Sequence, residues 1–499
     1  MVASPIAATS FLTSREDAEK KRQLGQFFTP KPMASLLASF VSESNSDIRM
    51  LDAGAGSGAL IEAMIWRFCS ANRPPARFVV DAWEVDGAAI PSLRKTLDEC
   101  ERRCAVAGIA FEATLHHADF IEAAVSRVRS DWFDARGAGY TLALLNPPYR
   151  KIRADSRERK MLHSVGIETS NLYTAFVSLA ARLLEPGGEL VAITPRSFCN
   201  GPYFRPFRED FLARLTLHRV HVFESRSAAF RSDDVLQENV IICATRGASQ
   251  AGPVLISSSS GERGAAIRER IVTYAEVVSP QDKERFIRLP SEETFDDAAK
   301  AMAQLPATLA DLGLSVSTGR VVDFRARDFL RASADSETAP LIYPSHFDAG
   351  LVRWPRNDSR KPNAIVNCVE TSDLLVPGGI YVLVKRFTAK EERRRVVASI
   401  YDSARVAGGP VGFENHLNYF HLRGMGLEMR LARGLSAFLN STVLDNYFRI
   451  FSGHTQVNAT DLRALRFPSL SRLVALGERV PSFAIQRLID TAVEEIAFA

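Results

Sequence analysis

Residues 48–68 read IRMLDAGAGSGALIEAMIWRF. A short apolar run ends at Asp52, glycines follow at 54, 56 and 58, and Leu60, Ile61, Met64, Ile65 and Phe68 then recur at helical period. A strand that turns tightly into a helix restricts the fold severely. The next strand returns parallel to the first, and a parallel sheet needs helices over both faces. The pattern continues through about residue 245. RFVVDAWEVD, FEATLHHADF, TLALLNPPY, ELVAITP, LHRVHVF and ENVIICAT supply six more strands, with helical periodicity between them. Seven strands in this alternation predict an α/β, doubly wound, Rossmann-like sheet, whose ligands bind beyond the carboxyl ends of the strands. Ahead of it, FFTPKPMASLLASFV predicts a helix capped by Thr29, with Met33, Leu36, Leu37, Phe40 and Val41 on one face.

At 499 residues the chain exceeds one ordinary core. Composition turns small and polar at RGASQAGPVLISSSSGERGAA. This predicts a first domain over 1–250, a connecting region over 251–310, and a second domain of mixed α+β elements over 311–499. The net charge of +4 arises wholly after residue 310, where 21 of 24 cations are Arg. No apolar run approaches the ~18 residues of a membrane span, and the first 23 residues do not read as a signal peptide. The six cysteines lack C-x-x-C spacing; Cys100 and Cys104 read as helix packing. A reduced cytoplasmic setting with no metal site is the expectation.

Three acids close three successive strands: Asp52, Glu84 and Asp119. A dinucleotide enzyme shows a different first turn, Gly-x-Gly-x-x-Gly. Three carboxylates around a glycine loop instead suit one ligand with several donors and a positive charge, and S-adenosylmethionine is such a ligand. On this reading Gly54 and Gly56 let the backbone approach it closely. Asp52 serves the methionine end and the loop, Glu84 takes the ribose hydroxyls, and Asp119 with the Phe120 amide takes the adenine edge.

The fourth strand ends in Asn146-Pro147-Pro148-Tyr149 with no Ser, Cys or His beside it. That set suits a planar amine whose lone pair is tied up by conjugation. The Asn146 side-chain oxygen and the Pro147 carbonyl can each accept one N–H, and the prolines hold φ near −65°. Tyr149 offers a face for a base to stack on. Catalysis then rests on orientation and preorganised acceptors.

In this order QFFTP, DAGAGSG, WEVD, HADF, LLNPPY, NLYTAF and AAFRSDDVLQENVII resemble the gamma-class N6-adenine DNA methyltransferases of type II restriction-modification systems, of the TaqI and PstI/BsuBI kind. The resemblance is specific over about residues 22–245 and looser beyond. It implies methyl transfer from S-adenosylmethionine to N6 of an adenine flipped out of double-stranded DNA, with a separately encoded restriction endonuclease as functional partner. It further implies cofactor contacts from Thr29, Asp52, Glu84, Asp119 and Pro148, and a target-adenine grip from Asn146, Pro147 and Tyr149. Phe230 would stack on the opposite face of the base, with Phe223 and Phe204 as rivals. A protein glutamine or RNA amine N-methyltransferase, which shares the NPPY site, is the alternative.

The second domain would then choose the DNA sequence. Gln456, Asn458 and Arg463 in FSGHTQVNATDLRALRFP carry groups that read adenine and guanine edges, or else cap a helix starting near Asp461. Lys385 and Arg386 open KRFTAKEERRR, which reads either as a phosphate grip or as a solvated helix face.

Overall fold

A computed structural model describes residues 29–42, 46–130, 139–223, 238–247, 249, 252–260, 266–289, 294–358, 360–388, 393–451, 456–481 and 485–498. The chain divides into two compact units, Met1–Ser291 and Glu292–Ala499. Among the described residues no helix is long and apolar enough to cross a membrane.

Unit 1 is built on a sheet with strands β1 Asp47–Ala53, β2 Arg77–Glu84, β3 Ala110–His117, β4 Tyr140–Leu145, β5 Leu184–Pro195, β6 Leu215–Phe223, β7 Asn239–Arg246, β8 Pro253–Ser259 and β9 Arg268–Thr273. Their order is β3-β2-β1-β4-β5-β7-β6-β8-β9. Neighbours from β3 to β5 pair in parallel, whereas β7 runs antiparallel to both β5 and β6. The seven strands read from the sequence are all present, but the sheet has nine. The extra pair comes from 251–310, so that segment is no connecting region throughout. PVLISSS reads as loop because serine avoids strands, yet here Ser257 and Ser259 are buried and hold His221 of β6 at 3.0 Å from each ring nitrogen. The serines are strand residues because a neighbouring strand needs their hydroxyls.

Side-chain alternation along the central strands feeds two cores. Leu142 and Leu144 of β4 enter one, with helices α1 (Lys31–Ser39), α2 (Ala59–Cys69) and α3 (Ile90–Ala107). Ala143 and Leu145 enter the other, with α4 (Phe120–Arg129), α5 (Arg157–His163), α6 (Leu172–Leu183) and α7 (Arg205–Arg214). Every residue of β4 is buried, as a strand covered on both faces requires. Cys100 and Cys104 lie in the first core on α3. The chain winds outward in opposite directions from β1 and β4, so the crevice for a ligand opens at their carboxyl ends. Asp52–Gly58 and Asn146–Arg150 meet there.

Unit 2 carries a six-stranded and a five-stranded sheet of short, mostly antiparallel strands, followed by five helices. Helices Met429–Leu439 and Leu470–Arg479 touch backbone to backbone: a Cβ on Gly434 would sit 1.7 Å from the Leu473 carbonyl oxygen. Only glycine permits that approach.

Candidate active site

Glycines 54, 56 and 58 all hold positive φ, at +81°, +54° and +87°. Gly54 and Ala55 both donate to the Trp83 carbonyl at 2.9 Å, which ties the loop to the end of β2. Glu84, 3% exposed, completes the tie: it accepts from the Gly56 amide at 2.8 Å and from the Asp86 amide at 2.7 Å. Each carboxylate oxygen can take two donors, so Glu84 organises the loop while keeping capacity for a ligand.

One cavity of unit 1 gathers these residues. Its walls include Thr29, Gly54, Gly56, Trp83, Glu84, Asp119, Phe120, Asn146, Pro148 and Phe176. Phe120 and Phe176 lie 5.1 Å apart and form an apolar side. Asp119 does not end β3, which stops at His117. It caps α4 instead, its Oδ1 accepting from the Ile121 and Glu122 amides at 2.7 and 3.2 Å. The Phe120 N–H opens that helix and has no carbonyl one turn back within it. An acceptor and a donor thus sit side by side on the wall, as a purine edge requires.

Asp52 is placed differently from the other two acids. It is fully buried, and neither carboxylate oxygen has a hydrogen-bond partner. It lies behind the loop, outside the residues that line the cavity. Burial, and then the neighbouring Glu84, push its carboxyl up to about 8. An orphaned carboxylate needs a positive charge nearby to ionise at neutral pH.

At the end of β4 the Asn146 amide donates through Nδ2 to the Thr29 hydroxyl at 2.9 Å. That bond fixes Nδ2 as the donor and Oδ1 as the accepting end. Thr29 therefore does not cap α1; Pro30 stands at the cap, and the threonine hydroxyl orients Asn146 instead. The Tyr149 hydroxyl donates to the Ile193 carbonyl at 3.2 Å and leans on Asn146 Oδ1 at 3.4 Å. Burial drives the Tyr149 phenol well above its ordinary value, so it stays protonated and is no base. Tyr173 meets its ring edge-on at 6.1 Å. Pro147 is buried, and Pro148 lines the cavity.

Phe230 lies outside the described residues. Of its rivals, Phe223 is core, edge-on to His221, whereas half-buried Phe204 packs on Tyr173 at 5.8 Å. The sequence reading missed Trp83, Phe176 and the Arg150–Glu158 ion pair, 3.8 Å long, on the cavity wall. Phe176 stood in the quoted NLYTAF, but its spacing reads equally as core.

In unit 2 the candidate base readers fall into different settings. Asn458 is buried and caps helix Ala459–Arg463 in a reciprocal arrangement with Asp461. Gln456 bridges to Phe387, whereas Arg463 is exposed. Lys385 ends a strand, Ile380–Lys385, so no helix face begins there. Arg386 donates to the Asn415 carbonyl at 3.0 Å, and Arg395 is 1% exposed.

The family model described as Eco57I restriction-modification methylase matches residues 108–230. The chain is 43% identical to the type II methyltransferase M.PstI of Providencia stuartii over 467 residues, 93% of this chain and 90% of that protein. It is 42% identical to the type II methyltransferase M.BsuBI of Bacillus subtilis over 476 residues, 94% of this chain and 93% of that protein. Among solved structures, the type IIG restriction endonuclease BpuSI superposes with a TM-score of 0.45 at 13% identity, covering 95% of this chain and 63% of that one.

Proposed function

This chain belongs to the type II methyltransferases of restriction-modification systems, and from that premise we propose that it methylates N6 of an adenine flipped out of double-stranded DNA. The modification protects host DNA from a separately encoded restriction endonuclease. Unit 1 carries the chemistry, and unit 2 chooses the DNA sequence. The relatives, matched over more than nine-tenths of the chain, do not favour the glutamine or RNA amine reading.

The residues present fit S-adenosylmethionine. A Cβ added to Gly54 would point at Phe176 and Pro148, at 3.8 and 4.0 Å, into the space a ligand would use. Glu84 is the acceptor for ribose hydroxyls, and Asp119 with the Phe120 amide meets the adenine edge. Asp52 lies behind the loop and off the cavity wall, so it acts on the donor's positive charge through its field and makes no contact with it. When bound, S-adenosylmethionine supplies a methyl group already activated by its sulfonium.

The chain's own task is therefore to hold and aim the amine. Asn146 Oδ1 and the Pro147 carbonyl each accept one N–H, which draws the nitrogen lone pair out of conjugation. Tyr149 stacks on the base, its ring held by the bond from its hydroxyl to the Ile193 carbonyl. Flipping costs a few kcal/mol, which stacking and phosphate contacts offset. Phe230 supplies the opposite face of the base. Gln456 and Arg463 remain base readers in this scheme, with Asn458 capping the helix that carries Arg463, and with Lys385 and Arg386 near the backbone.

One observation carries the proposal: the Thr29 bond leaves Asn146 Oδ1 as an acceptor on the wall of the same cavity as Glu84 and the glycine loop. Sequencing modified bases in a host expressing the gene tests it. N6-methyladenine at one short palindromic motif is the expected result; unmodified adenine throughout the genome rejects the reading.

A further inference from the structure

We propose that a cavity in unit 2, lined by Lys385, Arg394 and Arg433, binds a phosphate group, and that this phosphate belongs to the backbone of the DNA substrate. The second half rests on the reading above that DNA is the substrate.

Three cations from three separate elements converge on this cavity. Lys385 is the last residue of strand Ile380–Lys385. Arg394 lies on the chain that returns to strand Ala398–Asp402, the antiparallel partner of the first. Arg433 comes from helix Met429–Leu439. Ser399 and Ser436 add hydroxyls to the lining. Lys385 and Arg394 come from opposite ends of one basic stretch, KRFTAKEERRR, and Arg433 joins them from a helix later in the chain.

A helix end points the same way. Gln486, which also lines the cavity, opens the 12-residue helix Gln486–Ala497. Its capping position is Ile485, which has no side-chain acceptor, and its first turn holds no acid. The leading N–H groups and the positive end of the helix dipole are thus not offset from within the helix. Arg393, Arg394 and Arg487 surround the adjoining hollow beside this helix start.

The nearby acids among the described residues have other partners of their own. Among the described residues, Asp348 alone lines the cavity as a carboxylate. Asp445 accepts from the Arg395 amide at 2.6 Å and from Arg449 at 2.8 Å. Asp490 takes the Thr442 amide and hydroxyl, each at 2.7 Å. Burial draws the Arg394 guanidinium below its ordinary value while Asp445 and Asp490 act against that; it remains cationic at any working pH. Forked donors, an ammonium and a helix start together suit a tetrahedral phosphate.

The test uses the full chain with Lys385→Gln and Arg433→Gln, singly and together, and with Arg433→Lys. Duplex affinity is measured against KCl concentration by fluorescence anisotropy, with melting temperature and S-adenosylmethionine binding as controls. Each phosphate contact contributes about 0.9 to the slope of log affinity on log salt. The double variant should give a shallower slope by about that amount, with Arg433→Lys restoring most of it and both controls unchanged. Inorganic phosphate, titrated at constant ionic strength, should weaken duplex binding to the native chain and leave the double variant unaffected. If the native chain binds duplex and every variant keeps its slope, the DNA-backbone site is overturned. Loss of phosphate binding with an unchanged slope would assign the cavity to free phosphate and overturn the backbone source. A native chain that binds no duplex at all refutes the functional reading itself, a separate outcome.

Discussion

Replacing Asp52 with Asn tests the electrostatics of the site at its deepest point. The native carboxyl is fully buried, has no hydrogen-bond partner, and is pushed up to about 8 from 3.8, first by burial and then by Glu84. Because the folded value lies above the unfolded one, the native state holds a proton that the unfolded chain releases. The associated stability is whole below about pH 4 and is lost as pH rises through about 8. One proton gives a slope of about 1.4 kcal/mol per pH unit within that window. The lift from 3.8 to about 8 then corresponds to about 6 kcal/mol. Asparagine keeps the shape and has no proton to lose. Urea unfolding of both proteins without donor, followed by tryptophan fluorescence at pH 5, 6, 7 and 8, isolates this term. The free-energy difference should move toward the variant by about 4 kcal/mol between pH 5 and pH 8. A cationic donor favours the ionised carboxylate, so donor affinity of the native chain should rise with pH up to about 8 and that of the variant should not. Parallel unfolding profiles, constant to about 0.5 kcal/mol, would refute the assignment of a lone buried carboxyl.

Three further substitutions separate grip from packing. Tyr149→Phe keeps the ring and loses the bond to the Ile193 carbonyl, worth about 1 kcal/mol, so turnover should fall by no more than about tenfold. Tyr149→Ala removes a stack worth about 1–3 kcal/mol, and 2-aminopurine placed at the target should fluoresce more weakly; an identical signal excludes stacking there. Gly54→Ala forces a left-handed conformation that costs about 1–2 kcal/mol and directs its methyl toward Phe176, so donor affinity should drop roughly tenfold; unaltered affinity places the donor elsewhere.

Much of unit 1 was legible because a doubly covered parallel sheet writes itself in apolar runs ended by small or acidic residues. β1 and β4 could be read from their apolar runs, each closed by a residue the run could not continue through: Asp52 beside the glycines and Asn146 before the prolines. Two readings that failed share a cause: a polar residue's partner lies far away in sequence. The serines of β8 answer His221, some 36 positions back. Thr29 looked like a helix cap, yet its partner Asn146 is 117 residues on. Asn458 reads from the sequence either as a base reader or as part of a helix cap near Asp461; it is buried, with its backbone N–H and its Nδ2 both donating to Asp461, at 2.8 and 3.4 Å. In unit 2 the strands are short and mostly antiparallel, so each is placed by distant partners rather than by its own periodicity.

The central claim is that Asn146 aims an exocyclic adenine nitrogen at an activated methyl group. Purified protein is incubated with duplex DNA and donor labelled in the methyl carbon, and the DNA is digested to nucleosides and resolved. The native chain should place all label in N6-methyldeoxyadenosine, and Asn146→Ala should place none while binding donor within a few-fold of native. Label in a methylated cytosine, or undiminished transfer by the variant, would contradict the account.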